Sequence, residues 1–166
     1  MLVYALCTMG FHVFNCFEHC FLKEPAGDFY EMLLHHIASC SLYFCMIYGN
    51  NMAIGCMIAF LHDIADIFGN AIKCMSTTHY DKAILPLFFT MMSVWFWTRI
   101  YVLPVIVYWI FQRESGSLDM FIKLNGIFLS VLVFLHYFWF SLFFKMLWVK
   151  IKTGVAEDIQ NTKKEE

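Results

Sequence analysis

Two short strings in this chain carry side chains able to do chemistry. The first reads Asp28-Phe29-Tyr30-Glu31-Met32-Leu33-Leu34-His35-His36-Ile37-Ala38-Ser39. The second reads Leu61-His62-Asp63-Ile64-Ala65-Asp66-Ile67-Phe68-Gly69-Asn70. Glu31, His35 and Ser39 are spaced i, i+4, i+8, so a helix would carry them on one face, with His36 about 100° further round. His62, Asp66, Gly69 and Lys73 follow at i, i+4, i+7, i+11 and make a second stripe, with Asp63 beside it. Two neighbouring helices joined by a tight turn would bring imidazoles and carboxylates together.

Three chemistries suit such a cluster. The histidines and aspartates can act as hydrogen-bonded glue between helices. They can grip a metal ion, since His and Asp at i, i+4 can share one cation. Or they can move protons and form a covalent intermediate. A carboxylate beside an imidazole fixes its tautomer and raises its basicity, and a neutral imidazole can attack a thioester or take a proton from an amine. Their surroundings sharpen the choice, because ionisable side chains at membrane depth are expensive and mark functional sites.

The surroundings are indeed apolar. Of 166 residues, 61% are hydrophobic, 19% aromatic and only 14% charged. Soluble domains average roughly 25% charged residues. This composition excludes disorder and collagen-like repeats, and the formal net charge of −2 leaves no footprint for a nucleic acid. Five stretches reach the roughly 17–25 apolar residues that a spanning helix needs. They run over about 2–22, 29–48, 52–72, 83–111 and 120–149. A polar joint occupies 23–28, the turn Gly49-Asn50-Asn51 closes the second span, and loops fall at 73–82 and 112–119. Pro86 and Pro104 predict kinks in the fourth span. Residues 1–149 thus read as a membrane domain and 150–166 as a polar tail.

With that tail in the cytoplasm, Lys23, Lys73, Lys82, Lys145, Lys150, Lys152, Lys163 and Lys164 lie on the cytoplasmic side, against Arg113 and Lys123 opposite. This is the basic-residue asymmetry that orients membrane proteins. The seven cysteines show no zinc-type spacing and are scattered through apolar runs. They read as small buried hydrophobes, not as a disulfide framework. The first twenty residues lack the basic start and cleavage site of a signal peptide. The chain begins inside an apolar stretch, as a shortened version of a longer protein would.

The string from Asp28 to His36, then Asn50-Asn51-Met52-Ala53-Ile54-Gly55, then Leu61-His62-Asp63-Ile64-Ala65-Asp66, resembles the Lag motif of ceramide synthases, members of the TLC-domain family. The likeness continues in Thr98-Arg99-Ile100-Tyr101-Val102-Leu103-Pro104, in His136-Tyr137-Phe138-Trp139 and in Lys152 to Asp158. The resemblance implies an all-α membrane protein of about five spans, forming part of a TLC-type helical barrel around a central chamber, in the endoplasmic reticulum. It implies transfer of a fatty acyl group from acyl-CoA to the amine of a sphingoid base, with no metal and no cofactor beyond that co-substrate. His35 would take the acyl group and Asp66 would support proton transfer. His36, His62 and Asp63 would position or hydrogen-bond. Glu31, Ser39 and Arg99 are candidate substrate-positioning residues, Arg99 and His136 also being open to a plain structural reading. Partners would be acyl-CoA, the base and membrane lipids, with a homo- or hetero-dimer as a further expectation. The family has further spans before the region matching Met1, so the chain reads as N-terminally short. A basic residue before Gly55 and an acid-and-hydroxyl stretch after Asp66 are replaced here. A non-catalytic TLC-domain lipid-binding or regulatory protein is the alternative.

Overall fold

A computed structural model describes residues 2–22, 27–77, 81–112 and 119–153. Helix α1 spans Leu2–Phe21, α2 Phe29–Tyr48, α3 Met52–Thr77, α4 Asp81–Trp95, α5 Leu103–Gln112 and α6 Asp119–Thr153. A π-helical segment, Phe96–Val102, joins α4 to α5 without a break. The result is five rods, as the apolar stretches suggest. Three of them, over Met52–Met75, Ala83–Gln112 and Met120–Lys152, are long and apolar enough to cross a membrane. Helices α1 and α2 have 20 residues each. They have the length for a crossing, but Asn15, Glu18, Glu31 and several histidines dilute their apolarity.

Large apolar side chains such as Phe14, Phe60, Phe134 and Trp109 lie exposed on the outer surface. Such a surface would aggregate in water and is natural against lipid. The core is built mainly from α6 and its neighbours, with Leu103, Leu129, Leu132, Trp95 and Trp139 buried together. Helix α2 packs on α6 and α1, and α3 packs on α4. Helix α6 approaches α5 at Gly126, where an added Cβ would sit 3.0 Å from both Ile110 Cγ2 and Phe111 Cζ. Small residues of this kind allow membrane helices to approach closely.

Several sequence expectations change in detail. Helix α3 continues to Thr77 and α6 to Thr153, past the points where the apolar runs end. Helical hydrogen bonds carry the chain past the end of the apolar run. The joint residues 23–26, the loop residues 78–80 and 113–118, and the tail from 154 lie outside the described residues. The turn at Gly49-Asn50-Asn51 is present. Asn50 adopts the left-handed region at φ 52, which Asn tolerates better than most residues. Asn51 donates its backbone N–H to the Met46 carbonyl at 3.0 Å and its side-chain N–H to the Gly49 carbonyl at 2.9 Å. Of the cysteines only Cys45 is buried; Cys7, Cys20 and Cys74 face outward, so burial does not describe the set. Among the described residues no two cysteines are joined by a disulfide.

The fourth rod bends its pattern at Pro104. Proline has no N–H to give the carbonyl four residues back and its ring crowds that carbonyl. The chain widens into the π segment just before it, where Leu103 N–H bonds the Thr98 carbonyl five residues back. The Ile100 carbonyl, to which Pro104 has no N–H to give, accepts from the Tyr137 hydroxyl of α6 at 3.3 Å.

Candidate active site

A cavity of about 700 Å³ lies among the rods, a size common for small-molecule sites. His35 and Ser39 line it from α2, and His62, Asp63, Asp66, Gly69 and Lys73 from α3. The α3 stripe read from spacing therefore faces the cavity over its whole length. Helix α1 adds His12 and Asn15, the α4–π rod adds Trp95 and Arg99, and α6 adds Trp139. Much of the remaining wall is Met and Phe, including Met32, Met46, Met91, Phe88 and Phe143, side chains that adapt to irregular apolar shapes.

Not every candidate reaches this wall. His36 is buried but points off the lining, 5.6 Å from the His35 ring and 5.7 Å from the His19 ring. Glu31 sits in the first turn of α2, outside the lining set. The i, i+4, i+8 stripe thus delivers His35 and Ser39 to the cavity and leaves Glu31 toward the helix end.

The polar groups of α3 are held from several sides. Arg99 is 4% exposed. Its guanidinium stacks 3.9 Å above the Trp95 ring, and one of its nitrogens donates at 2.6 Å to both Asp66 Oδ1 and the His62 carbonyl. Arg99 is therefore turned inward among polar partners and does not reach out toward an interface. The π segment turns Thr98 and Arg99 inward together. π-Bulges of this type recur at functional sites because they re-aim side chains within a helix. Asp63, nearer the surface, accepts from the Tyr4 hydroxyl at 2.9 Å, tying α1 to α3.

A histidine pair lies behind this wall. His62 Nδ1 is 2.8 Å from the Ile58 carbonyl. A carbonyl only accepts, so Nδ1 carries the proton and the neutral ring keeps its lone pair on Nε2. His136 Nε2, 2.9 Å away, must then donate to it. His136 is 0% exposed and sits among Trp95, Trp139 and His62. Its place in an apolar stretch of α6 gave the sequence reading no reason to prefer it over a plain packing residue. His12 was missed; it lies eight residues beyond Tyr4, two helical turns along, and that spacing was the available signal.

With both nitrogens of His62 engaged, His35 stands out. Its ring is 5.4 Å from Trp139 and 6.4 Å from His136 and from His12, and its buried Nδ1 has no partner among the described residues. His35 and Asp66 face one shared cavity, so imidazole, carboxylate and guanidinium surround a common volume lined by apolar side chains.

The TLC-domain family model matches residues 1–145. Among curated proteins, the chain is 27% identical to ceramide synthase hyl-2 of Caenorhabditis elegans, over 91% of this chain and 50% of that protein. It is 30% identical to ceramide synthase 4 of Homo sapiens over 78% of this chain and 34% of that protein. The corresponding Bos taurus protein is 32% identical over the same shares, 78% and 34%. The chain thus spans half or less of the length of these relatives. No solved structure matches it. On the family match, the buried polar wall and the apolar rods around it, this chain is a multi-pass membrane protein that belongs to the TLC-domain family and is of the ceramide synthase type.

Proposed function

We propose that this chain carries the reaction centre of a sphingoid-base N-acyltransferase. The observation that supports it most is the placement of His35 on the cavity wall, with a ring nitrogen that has no hydrogen-bond partner among the described residues, in the same volume as Asp66 and Arg99. The lone pair of His35 attacks the thioester carbonyl of a fatty acyl-CoA; the C–S bond breaks and coenzyme A leaves as the thiolate. The amine of the base then attacks the resulting acyl-imidazolium, the C–N bond to His35 breaks with its electron pair returning to the ring, and the amine proton passes to a base in the cavity. Asp66, whose side chain opens onto the cavity, fills that role, with Arg99 orienting it. An acyl-imidazole divides one difficult transfer into two easier steps. An apolar enclosure limits competing hydrolysis.

His62 and Asp63 serve as positioning groups, each already held by a hydrogen bond. His36 supports His35 from behind the wall. The acyl chain and the base lie along the Met and Phe surfaces, and Ser39, beside His35 on the wall, orients the polar end of a substrate. The reading carries with it an endoplasmic reticulum location, a cytoplasmic tail and a homo- or hetero-dimer. The test is mass spectrometry of the purified chain after exposure to acyl-CoA. The expected result is an acyl mass on His35 that hydroxylamine removes and that His35→Ala lacks. Near wild-type transfer by His35→Ala would remove His35 from the mechanism.

A further inference from the structure

On the α1 side of the cavity His12 meets the histidine pair of α2. One ring nitrogen from each of His12, His35 and His36 lies within 4.8 Å of the other two. Among the described residues His12 and His35 each keep a buried Nδ1 without a partner, which in an apolar interior is an unfavourable state for a polar group. His12 and His35 border open volume, so their rings have room to rotate. Zinc binds imidazole nitrogen at about 2.0–2.1 Å, and tetrahedral geometry then sets neighbouring ligands about 3.3 Å apart. Closing the trio from its present spacing takes side-chain rotations of an ångström or so (~1.5 Å at most for any pair).

The donor set selects the class of ion. Three neutral imidazoles suit zinc, cobalt, nickel or copper, whereas calcium and magnesium require oxygen ligands. Asp63, which accepts from the neutral Tyr4 hydroxyl, lines the same cavity and contributes negative charge toward a dication, whereas Asp66 is already paired with Arg99. His62 is not available to the trio, since its two nitrogens are committed to Ile58 and His136.

We propose that the chain binds one zinc-class divalent cation through His12, His35 and His36, with the fourth coordination position facing the cavity. The ion would be held by three imidazoles from two adjacent helices, α1 and α2, and would pin those helices together. Taken with the acyl-transfer reading, on which this one consequence rests, the ion and the acyl group compete for His35. A metal-loaded chain would then be a resting, inhibited form.

The test uses the full chain, purified in detergent and stripped with chelator, with Co²⁺ as an absorbing probe and Zn²⁺ as its competitor. Wild type is expected to take up one Co²⁺ per chain with the visible bands of a four-coordinate site, displaced by Zn²⁺. His12→Ala and His36→Ala are expected to weaken uptake by at least the 10–100-fold that loss of even an outer-shell partner causes. Helical circular dichroism confirms that each variant is folded, and His12→Gln replaces His12→Ala if the latter is not. Stoichiometric Co²⁺ binding that survives in the folded His12→Ala/His36→Ala double variant overturns the proposal, as does a wild type that binds Co²⁺ no better than that variant. The readout is metal uptake, so a negative result leaves the acyl adduct on His35 untouched, and absence of the adduct leaves metal binding untouched.

Discussion

The Arg99–Asp66 ion pair is lopsided, and its two halves should respond differently to removal. The Arg99 side chain is 5% exposed and that of Asp66 57%. Breaking a buried pair costs about 3–5 kcal/mol, chiefly because the surviving charge is left desolvated. In Asp66→Asn the survivor is the buried guanidinium. It still stacks on Trp95 and still donates to the His62 carbonyl, but neither contact neutralises it. A loss of about 3 kcal/mol follows, the low end of the range because Asp63 lines the same cavity. In Arg99→Met the survivor is a carboxylate that already opens onto the cavity, where water can reach it. What disappears is the pairing and the cation–π contact, worth about 1–2 kcal/mol together. The double variant Arg99→Met/Asp66→Asn strands no charge and should be more stable than Asp66→Asn alone. The measurement is unfolding in mixed micelles by sodium dodecyl sulfate, followed by helical circular dichroism, across the double-mutant cycle. Arg99→Met destabilising as much as Asp66→Asn, or a double variant that loses the sum of the two, would refute the reasoning.

Two further substitutions test the packing and the histidine pair. His136→Leu fills the buried space but removes the donor to His62 Nε2, and should lose about 1–3 kcal/mol of stability; His136→Gln retains an N–H donor and should lose less, with the same order in acyl transfer, and the reverse order in either assay counts against the pairing. Gly49→Ala would place a Cβ 2.7 Å from the Cys45 carbonyl oxygen and 2.8 Å from Phe121 Cβ. A backbone oxygen cannot step aside, so about 1–3 kcal/mol should be lost. Gly10→Ala meets nothing within 4 Å and should gain up to about 1 kcal/mol from helix propensity, so thermal melting that fails to separate the two variants would show that close approach at Gly49 is not what matters.

The rods were legible because apolar runs of bilayer length are a strong signal, and the turn at Gly49-Asn50-Asn51 was legible because its chemistry is local. Rod ends were less so. Met75 to Thr77 and Lys150 to Thr153 are helical although their composition is polar or mixed, since a helix already under way adds residues cheaply. The π segment is a subtler case. Pro104 announces a disturbance, but a proline can be accommodated by a kink, a gap or a widened turn. Which one occurs depends on partners from another helix, here Tyr137, which accepts none of the sequence-local rules and supplies the missing donor to Ile100. The inward turn of Arg99 inherits that uncertainty.

For the cluster itself, sequence spacing could say which residues share a helix face but not which nitrogens remain free. The seven histidines look chemically equal in a string of letters. Three dimensions sort those among the described residues. His19 donates from Nε2 to the Phe29 carbonyl at 3.0 Å and stacks on that ring, so it fastens the joint between α1 and α2. His62 spends one nitrogen on Ile58 and the other on His136. That pairing reaches 74 positions along the chain and has no periodicity to reveal it. What remains on the cavity wall with a buried, unpartnered nitrogen is His35 and, from a helix outside both motif strings, His12. A nucleophile and a metal ligand ask the same thing of an imidazole, a lone pair not already given away. The hydrogen-bond network around His62, Asp66 and Arg99 therefore does more than hold helices together: by engaging His62 it leaves His35 and His12 as the cavity-wall imidazoles with an unengaged ring nitrogen, which is what both the proposed acyl transfer and the proposed metal site require.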